Sequence, residues 1–268
     1  MFAIDAKTLN RIEPVVRRTL VIDPNPHSAR LLMDVMKALG AREVVSEPDN
    51  RRAMAMARDL EPGLIFTERS GDGLDGEELT RLIRRSGMQC RRAPIIMVTA
   101  DATASSIMGA RDVGVHEFLR KPYTSNDLFK RIENVALKPR DWIEAVGYVG
   151  PDRRRFNSGE YAGPAKRRSD KPASAAAEAA AVKDQAMRIL GSAMTQFDND
   201  PAQAVRAIRQ QAETLKALGI KTGDTSLVIA SAGLETCFAG PAPTKASLNG
   251  PVDAVLKLAD PETLARSA

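Results

Sequence analysis

The chain has 268 residues, of which 43% are hydrophobic and 27% are charged, as in an ordinary soluble globular protein. This length accommodates one domain of about 100 to 200 residues and a second unit. No stretch has the roughly 18 apolar residues of a membrane span, and the N-terminal residues lack the apolar segment of a secretory signal. We therefore expect a cytoplasmic protein. Cys90 and Cys237 lie far apart, so neither a disulfide framework nor a structural zinc site is indicated.

The net charge of +5 is concentrated in a short segment. Residues 150–172 hold seven basic and three acidic residues, whereas residues 173–268 hold nine basic and ten acidic ones. Nucleic-acid binding needs clustered Lys or Arg. The charge therefore opposes a DNA-binding role for the C-terminal region, and the high isoelectric point of the whole chain does not by itself indicate nucleic acid.

Short apolar runs alternate with longer helical patterns in residues 17–136, which is typical of βα units around a parallel sheet. The predicted strands are residues 19–22, 43–46, 63–67, 94–98 and 116–119. Such strongly apolar runs are typical of strands that are covered by helices on both faces of the sheet. The pattern predicts an α/β fold of flavodoxin-like (βα)5 topology, with its functional groups at the carboxyl ends of the strands.

Polar side chains stand at those predicted strand ends. Asp23 follows the first strand, Glu68 the third, Thr99 the fourth and Lys121 the fifth. The surrounding motifs are Val21-Ile-Asp-Pro-Asn-Pro26, Leu64-Ile-Phe-Thr-Glu68, Leu74-Asp-Gly76, Val98-Thr-Ala100 and Phe118-Leu-Arg-Lys-Pro122. Each motif alone is weak, but together and in this order they resemble the response-regulator receiver domain over roughly 120 residues.

The resemblance implies a particular chemistry at these positions. In that family clustered carboxylates hold Mg²⁺, one aspartate accepts a phosphoryl group, and a Thr and a Lys bind the phosphoryl oxygens. Thr99 and Lys121 match the phosphate-binding pair. Thr99 and Phe118 match the switch residues, Phe118 taking the place of the family's switch aromatic.

Two departures from the family pattern remove the same reaction. Glu68 stands where the acceptor aspartate belongs, and its extra methylene moves the carboxylate by roughly 1.5 Å, which in-line transfer tolerates poorly. Pro24 replaces the second acidic residue of the metal site and offers no side-chain oxygen. We therefore expect a degenerate phosphorylation site formed by Asp23, Pro24, Glu68, Thr99 and Lys121, with weak or absent Mg²⁺ binding, no other metal and no cofactor.

Other interpretations of these residues remain open. A Glu68–Lys121 ion pair can be purely structural, or it can imitate a phosphorylated state. Asp23 and Thr99 can equally be a helix cap and a strand-end hydroxyl. A first rival hypothesis is a conventional phospho-accepting receiver that uses Glu68 or Asp72.

A near repeat follows the receiver-like part: Tyr148-Val-Gly-Pro-Asp-Arg-Arg-Arg155 and Tyr161-Ala-Gly-Pro-Ala-Lys-Arg-Arg168. It resembles Gly-Pro-Asp/Glu-Arg-Arg repeats of alphaproteobacterial receiver proteins, a resemblance that implies no biochemical role. The basic residues are candidate docking groups: Arg153, Arg154, Arg155, Lys166, Arg167 and Arg168. The alternatives are a solvated flexible linker and a segment that binds nucleic acid or a nucleotide.

Residues 173–268 have helical periodicity. One stripe runs through residues 182–197, and a second begins after Pro201 and is predicted to end at Gly219. The apolar positions are too few for a large independent core, so we expect this region to pack on the receiver-like domain, on a second copy of the chain or on a partner, and we favour association with another chain. It contains no histidine, which excludes a histidine phosphotransfer domain.

The sequence as a whole predicts three parts: a receiver-like domain at 15–137, an Arg/Gly/Pro-rich linker at 138–172 and an α-helical interaction region at 173–268. We expect a non-catalytic signalling protein of two-component type that acts by phosphorylation-independent protein–protein interaction. Its expected partners are signalling proteins such as a histidine kinase or another regulator, with homodimerisation as a further option and without membrane or nucleic acid.

Overall fold

The structure is a computed structural model that describes residues 6–153 and 175–259. These residues form two compact units. Of the described residues, the first unit comprises 6–143 and 148–153, and the second comprises 144–147 and 175–259. Among them, no helix is both long enough and apolar enough to cross a bilayer.

The first unit alternates strands and helices as the sequence predicts. Its elements are α1 (Ala6–Val16), β1 (Arg18–Ile22), α2 (Pro26–Ala38), β2 (Glu43–Glu47), α3 (Asn50–Leu60), β3 (Leu64–Thr67), β4 (Ser70–Gly71), β5 (Leu74–Asp75), α4 (Gly76–Arg85), β6 (Ile95–Thr99), α5 (Ala104–Asp112), β7 (Glu117–Arg120), α6 (Ser125–Leu137), β8 (Trp142–Glu144) and β9 (Val149–Pro151).

Five of the strands form a parallel sheet in the order β2-β1-β3-β6-β7. This order is that of the flavodoxin-like doubly wound fold, so the fold prediction is confirmed. The three central strands are buried along almost their whole length, because helices cover both faces of the sheet. The strand order changes direction at β1 and β3, so the residues that follow these two strands lie side by side.

Residues 138–153, expected to belong to the linker, are largely folded. Strands β8 and β9 form a two-stranded sheet, and β9 packs against α4. Tyr148 is buried, its hydroxyl donates to the Pro151 carbonyl oxygen at 2.6 Å, and the Arg153 guanidinium lies 4.4 Å from the centre of its ring. A Cβ on Gly150 would lie 2.7 Å from Gly114 Cα, so only glycine permits this close approach.

The second unit is built from four helices, α7 (Ala175–Thr195), α8 (Pro201–Thr222), α9 (Thr225–Thr236) and α10 (Lys245–Leu256). Asp200 caps α8 by accepting from the Gln203 backbone N–H. Helices α9 and α10 add buried residues such as Leu234 and Val252 to those of α7 and α8. The unit therefore has a core of its own, and the expectation of too few apolar residues is wrong.

Helix α8 does not end at Gly219, as the sequence predicts, but runs to Thr222, with Gly223 as the left-handed C-cap. A Cβ on Gly219 would lie 2.8 Å from the Val228 side chain, so this glycine permits close packing of α9. The short segment 144–147 belongs to this unit. Its Glu144 is buried and accepts from the Gln203 side-chain amide at 2.8 Å.

Candidate functional site at the carboxyl ends of the strands

Asp23 directly follows β1 and is held in place by the start of α2. Its Oδ1 accepts a hydrogen bond from the Asn25 backbone N–H at 2.8 Å. Asn25 in turn caps α2, since its side-chain oxygen accepts from the backbone N–H groups of His27 and Ser28. The Asp23 side chain is 4% exposed and faces the residues that follow the neighbouring strand β3.

Glu68 follows β3, the strand next to β1. Its backbone N–H donates to the Ile22 carbonyl oxygen at 2.7 Å, which continues the sheet pairing past the end of the strand. Its side chain is 13% exposed, and its Oε1 accepts from the Arg69 backbone N–H at 2.8 Å. The carboxylate is therefore held at one oxygen by the main chain and presents the other to the site.

Lys121 follows β7 and joins the two carboxylates. Its Nζ lies 2.9 Å from Asp23 Oδ2 and 2.6 Å from Glu68 Oε2. The peptide bond to Pro122 is cis. Burial alone would lower the pKa of Lys121, but the hydrogen bonds to Glu68 and Asp23 outweigh that effect and raise the pKa above its ordinary value. The amine is therefore a stable ammonium that bridges two carboxylates.

Pro24 packs against the loop that follows Glu68. A Cβ on Gly71 would lie 2.4 Å from the proline ring, so the ring and the β4 backbone are in close contact. Apolar ring atoms thus occupy this side of the site. Among the residues described, no group of three or more Asp, Glu, His or Cys side chains is placed to hold a metal ion.

The two residues that match the family's switch lie close to the site. Thr99 ends β6, is 4% exposed, and accepts from the Asp101 backbone N–H at 3.3 Å. The Lys121 backbone N–H donates to the Thr99 carbonyl oxygen at 2.8 Å. Phe118 is 3% exposed and packs in the hydrophobic core. The structure therefore places both residues inside the domain.

Arg69, which the sequence did not indicate as a site residue, links the start of α4 to the loop that follows β6. Its Nε donates to Glu77 at 2.9 Å and its Nη1 to Asp101 at 2.6 Å. The carboxylate of Asp101 also accepts from Ser106, which is the largest of the causes that lower its pKa. An arginine next to an acidic strand end was the available signal, but one of its two partners, Asp101, lies 32 residues away in sequence.

The remaining candidate residues lie away from this cluster or outside the described residues. Asp72 is exposed in the turn between β4 and β5. Arg153 pairs with Asp112 at 3.1 Å, where both side chains are about half exposed. The other candidate docking residues lie outside the described part of the chain: Arg154, Arg155, Lys166, Arg167 and Arg168.

Comparison with known proteins gives a family for the first unit. Residues 19–133 match the family model described as response regulator receiver domain. The chain is 25% identical over 118 residues to the chemotaxis protein CheY of Pseudomonas aeruginosa, covering 44% of this chain and 94% of that protein. It is 28% identical over 147 residues to the transcriptional regulatory protein BaeR of Escherichia coli, covering 53% of this chain and 59% of that protein.

Among solved structures, the chemotaxis response regulator CheY4 of Vibrio cholerae shares 23% identity and covers 44% of this chain and 96% of its own, with a TM-score of 0.41. The match to the family model ends within α6, before β8 and the four helices of the second unit. The chain thus spans about six tenths of BaeR and almost all of CheY. Residues 19–133 are a response regulator receiver domain of the two-component signalling type.

Proposed function

We propose that this chain is a non-catalytic signalling protein whose receiver domain acts by protein–protein interaction without accepting a phosphoryl group. The observation that carries the proposal is the Lys121 ammonium, which bonds at 2.9 Å to Asp23 and at 2.6 Å to Glu68. The ammonium of the protein's own lysine thus bonds to both carboxylates of the degenerate site.

The arrangement disfavours attack by Glu68 on a phosphoryl donor. Each of its oxygens already accepts a hydrogen bond, one from Lys121 and one from the Arg69 backbone. A nucleophile must approach its target within about 3–3.5 Å in line with the leaving group. Attack would first require an oxygen to leave these partners, and the longer glutamate side chain would still misplace it.

The donor set also fits Mg²⁺ poorly. This cation demands nearly ideal octahedral coordination by oxygen and is held in proteins by carboxylates together with water. Pro24 contributes no oxygen, and the two remaining carboxylates already share the Lys121 ammonium, which leaves the cluster with one net negative charge. A divalent cation would have to displace an ammonium with a raised pKa, so its binding is weak or absent.

Because Lys121 bonds to both carboxylates without phosphate or metal, we expect the domain to keep one arrangement of Thr99 and Phe118. Thr99 and Phe118 are both buried, and the backbone of Thr99 is tied to Lys121. The surface that surrounds them is therefore permanently available to partners. The natural partners are proteins of the same signalling type, a histidine kinase or another regulator, in the cytoplasm. A second copy of the chain is a further candidate.

The test is the amide NMR spectrum of the full chain with and without acetyl phosphate and Mg²⁺. For the wild type we expect no change at the amides of Thr99 and Phe118. The double variant Glu68→Asp/Pro24→Asp should respond, because it regains the acceptor and the metal ligand, whereas Glu68→Asp alone should respond weakly. Shifts in the wild type that require both reagents would overturn the proposal.

The rival hypotheses have less support. Phosphorylation of Asp72 would occur on an exposed turn, at a carboxylate to which Lys121 donates no hydrogen bond. Nucleic-acid binding by the basic repeat stays a prediction, since most of that repeat lies outside the described residues. Its first basic residue, Arg153, is paired with Asp112 and packs on Tyr148.

A further inference from the structure

A cavity of about 480 Å³ opens at the end of the receiver sheet opposite the Asp23–Lys121 site. It lies where β6 and β7 begin, between Pro94 and His116, and is closed on the other side by the end of α6 and by Trp142. Pockets that bind small molecules commonly have volumes of about 300–1,000 Å³. The cavity is therefore large enough for an organic ligand.

The cavity lining is rich in positive charge. Arg92, Lys138 and Arg140 line it, and Glu117 is the one acidic side chain among its lining residues. Glu117 is 6% exposed and already bonds to Arg131 at 3.2 Å. The balance of charge in the cavity therefore favours an anion.

His116 lines the cavity, and one of its ring nitrogens is bonded within the protein. It is 9% exposed, and its Nδ1 accepts from Arg84 Nη2 at 3.0 Å and lies 3.3 Å from the Ile95 backbone N–H. Burial, together with the charges of Arg84 and Arg140, lowers the pKa of His116 well below its ordinary value. The ring is therefore neutral with its hydrogen on Nε2, and none of the hydrogen bonds among described residues uses that nitrogen.

Arg84 stabilises this arrangement from inside the domain. It is 1% exposed and donates to the carbonyl oxygens of Gly114, Arg91 and Ala93 at 2.6–2.9 Å. Burial lowers its pKa to about 9, so the guanidinium is still charged at neutral pH. A fixed positive charge behind His116 increases the positive potential of the cavity.

Trp142, in the cavity wall, lies among three arginines. The guanidinium carbons of Arg84, Arg91 and Arg92 lie 5.4, 5.8 and 5.6 Å from the centre of the Trp142 ring. Arg92 is exposed and lines the cavity, so its planar guanidinium borders the space that a ligand would occupy. Planar guanidinium and indole groups stack on aromatic rings such as nucleobases.

We propose that this cavity binds a small phosphorylated ligand of the mononucleotide class. The phosphate lies against Lys138, Arg140 and the Nε2–H of His116, and the planar base lies against Arg92 and Trp142. Arginine and lysine supply the charge and the donors that phosphate recognition needs. The proposal is independent of the degenerate site, because the cavity lies at the amino ends of the strands and Lys121 at the carboxyl end.

Trp142 makes the proposal directly testable, since it is the only tryptophan of the chain. The experiment is a titration of the full chain with AMP, GMP, adenosine and inorganic phosphate, followed by tryptophan emission and by calorimetry on the same samples. We expect both mononucleotides to bind and to change the emission, with binding that weakens as salt is added. Adenosine and inorganic phosphate should each bind at least about tenfold more weakly.

The variants Lys138→Gln and Arg92→Gln change exposed side chains, so the fold should be preserved. Each should weaken AMP binding by about tenfold, Lys138→Gln through the loss of a charge-assisted phosphate contact and Arg92→Gln through the loss of stacking on the base. The matched control Lys37→Gln changes an exposed lysine of α2 and should bind AMP like the wild type. The proposal is overturned if calorimetry detects no mononucleotide binding, if adenosine binds as tightly as AMP, or if both cavity variants bind like the control.

Discussion

Replacing Lys121 by methionine should destabilise the receiver domain substantially. The substitution keeps most of the side-chain length and removes the ammonium that bridges Asp23 and Glu68. Those carboxylates are 4% and 13% exposed, so both would keep a largely buried charge without its partner. Removing one partner of a buried ion pair costs about 3–5 kcal/mol. Because the Lys121 side chain is 23% exposed and water can partly replace it, we expect the lower end, about 3 kcal/mol.

Urea unfolding followed by Trp142 emission measures this effect, because Trp142 lies in the first unit and is the only tryptophan. The control Lys37→Met alters an exposed lysine and should change the unfolding free energy by less than about 0.5 kcal/mol. Adding Glu68→Gln to Lys121→Met should recover about 1 kcal/mol, since one unpaired charge disappears. A loss below about 1 kcal/mol for Lys121→Met would show that the bridge behaves as an ordinary surface pair and would refute the reasoning.

Two further predictions concern the rest of the first unit. In the folded domain the pKa of His116 lies well below 6.5, so at acidic pH the unfolded chain binds one more proton than the folded chain. Stability should therefore fall as the pH drops below about 6.5, by at most about 1.4 kcal/mol per pH unit. In urea titrations His116→Gln should lose this slope, whereas His27→Gln should retain it. Gly150→Ala should cost about 1–3 kcal/mol, since its Cβ would lie 2.7 Å from Gly114 Cα, whereas Gly87→Ala, with open space around it, should leave the urea midpoint nearly unchanged.

The sequence was sufficient to place the carboxyl-end site. In a parallel sheet wound in this order, residues after neighbouring strands must converge, so Asp23 and Glu68 could be brought together from strand positions alone. The sequence could not show that Lys121 bonds to both carboxylates. That detail depends on side-chain conformations, and the expectation named only a Glu68–Lys121 pair.

The cavity and the β8–β9 hairpin could not be predicted in the same way. Arg84 belongs to a basic pair at the end of an amphipathic helix, a pattern that ordinarily indicates an exposed side chain. It is buried because carbonyl groups from three positions outside its own helix accept its hydrogen bonds. The hairpin strands have three residues each, and their Gly, Pro and Arg content indicated a linker. Their fold depends on long-range packing against α4.

We propose that the bridged carboxylates Asp23 and Glu68 do not accept a phosphoryl group. The decisive measurement is the intact mass of the wild-type chain after incubation with acetyl phosphate and Mg²⁺. A receiver with the acceptor aspartate and metal ligand, here the Glu68→Asp/Pro24→Asp variant, serves as the positive control. We expect the wild type to keep its mass while the variant gains one acid-labile phosphoryl group. A stoichiometric phosphoryl group on the wild type, mapped to Glu68 or Asp72, would contradict it.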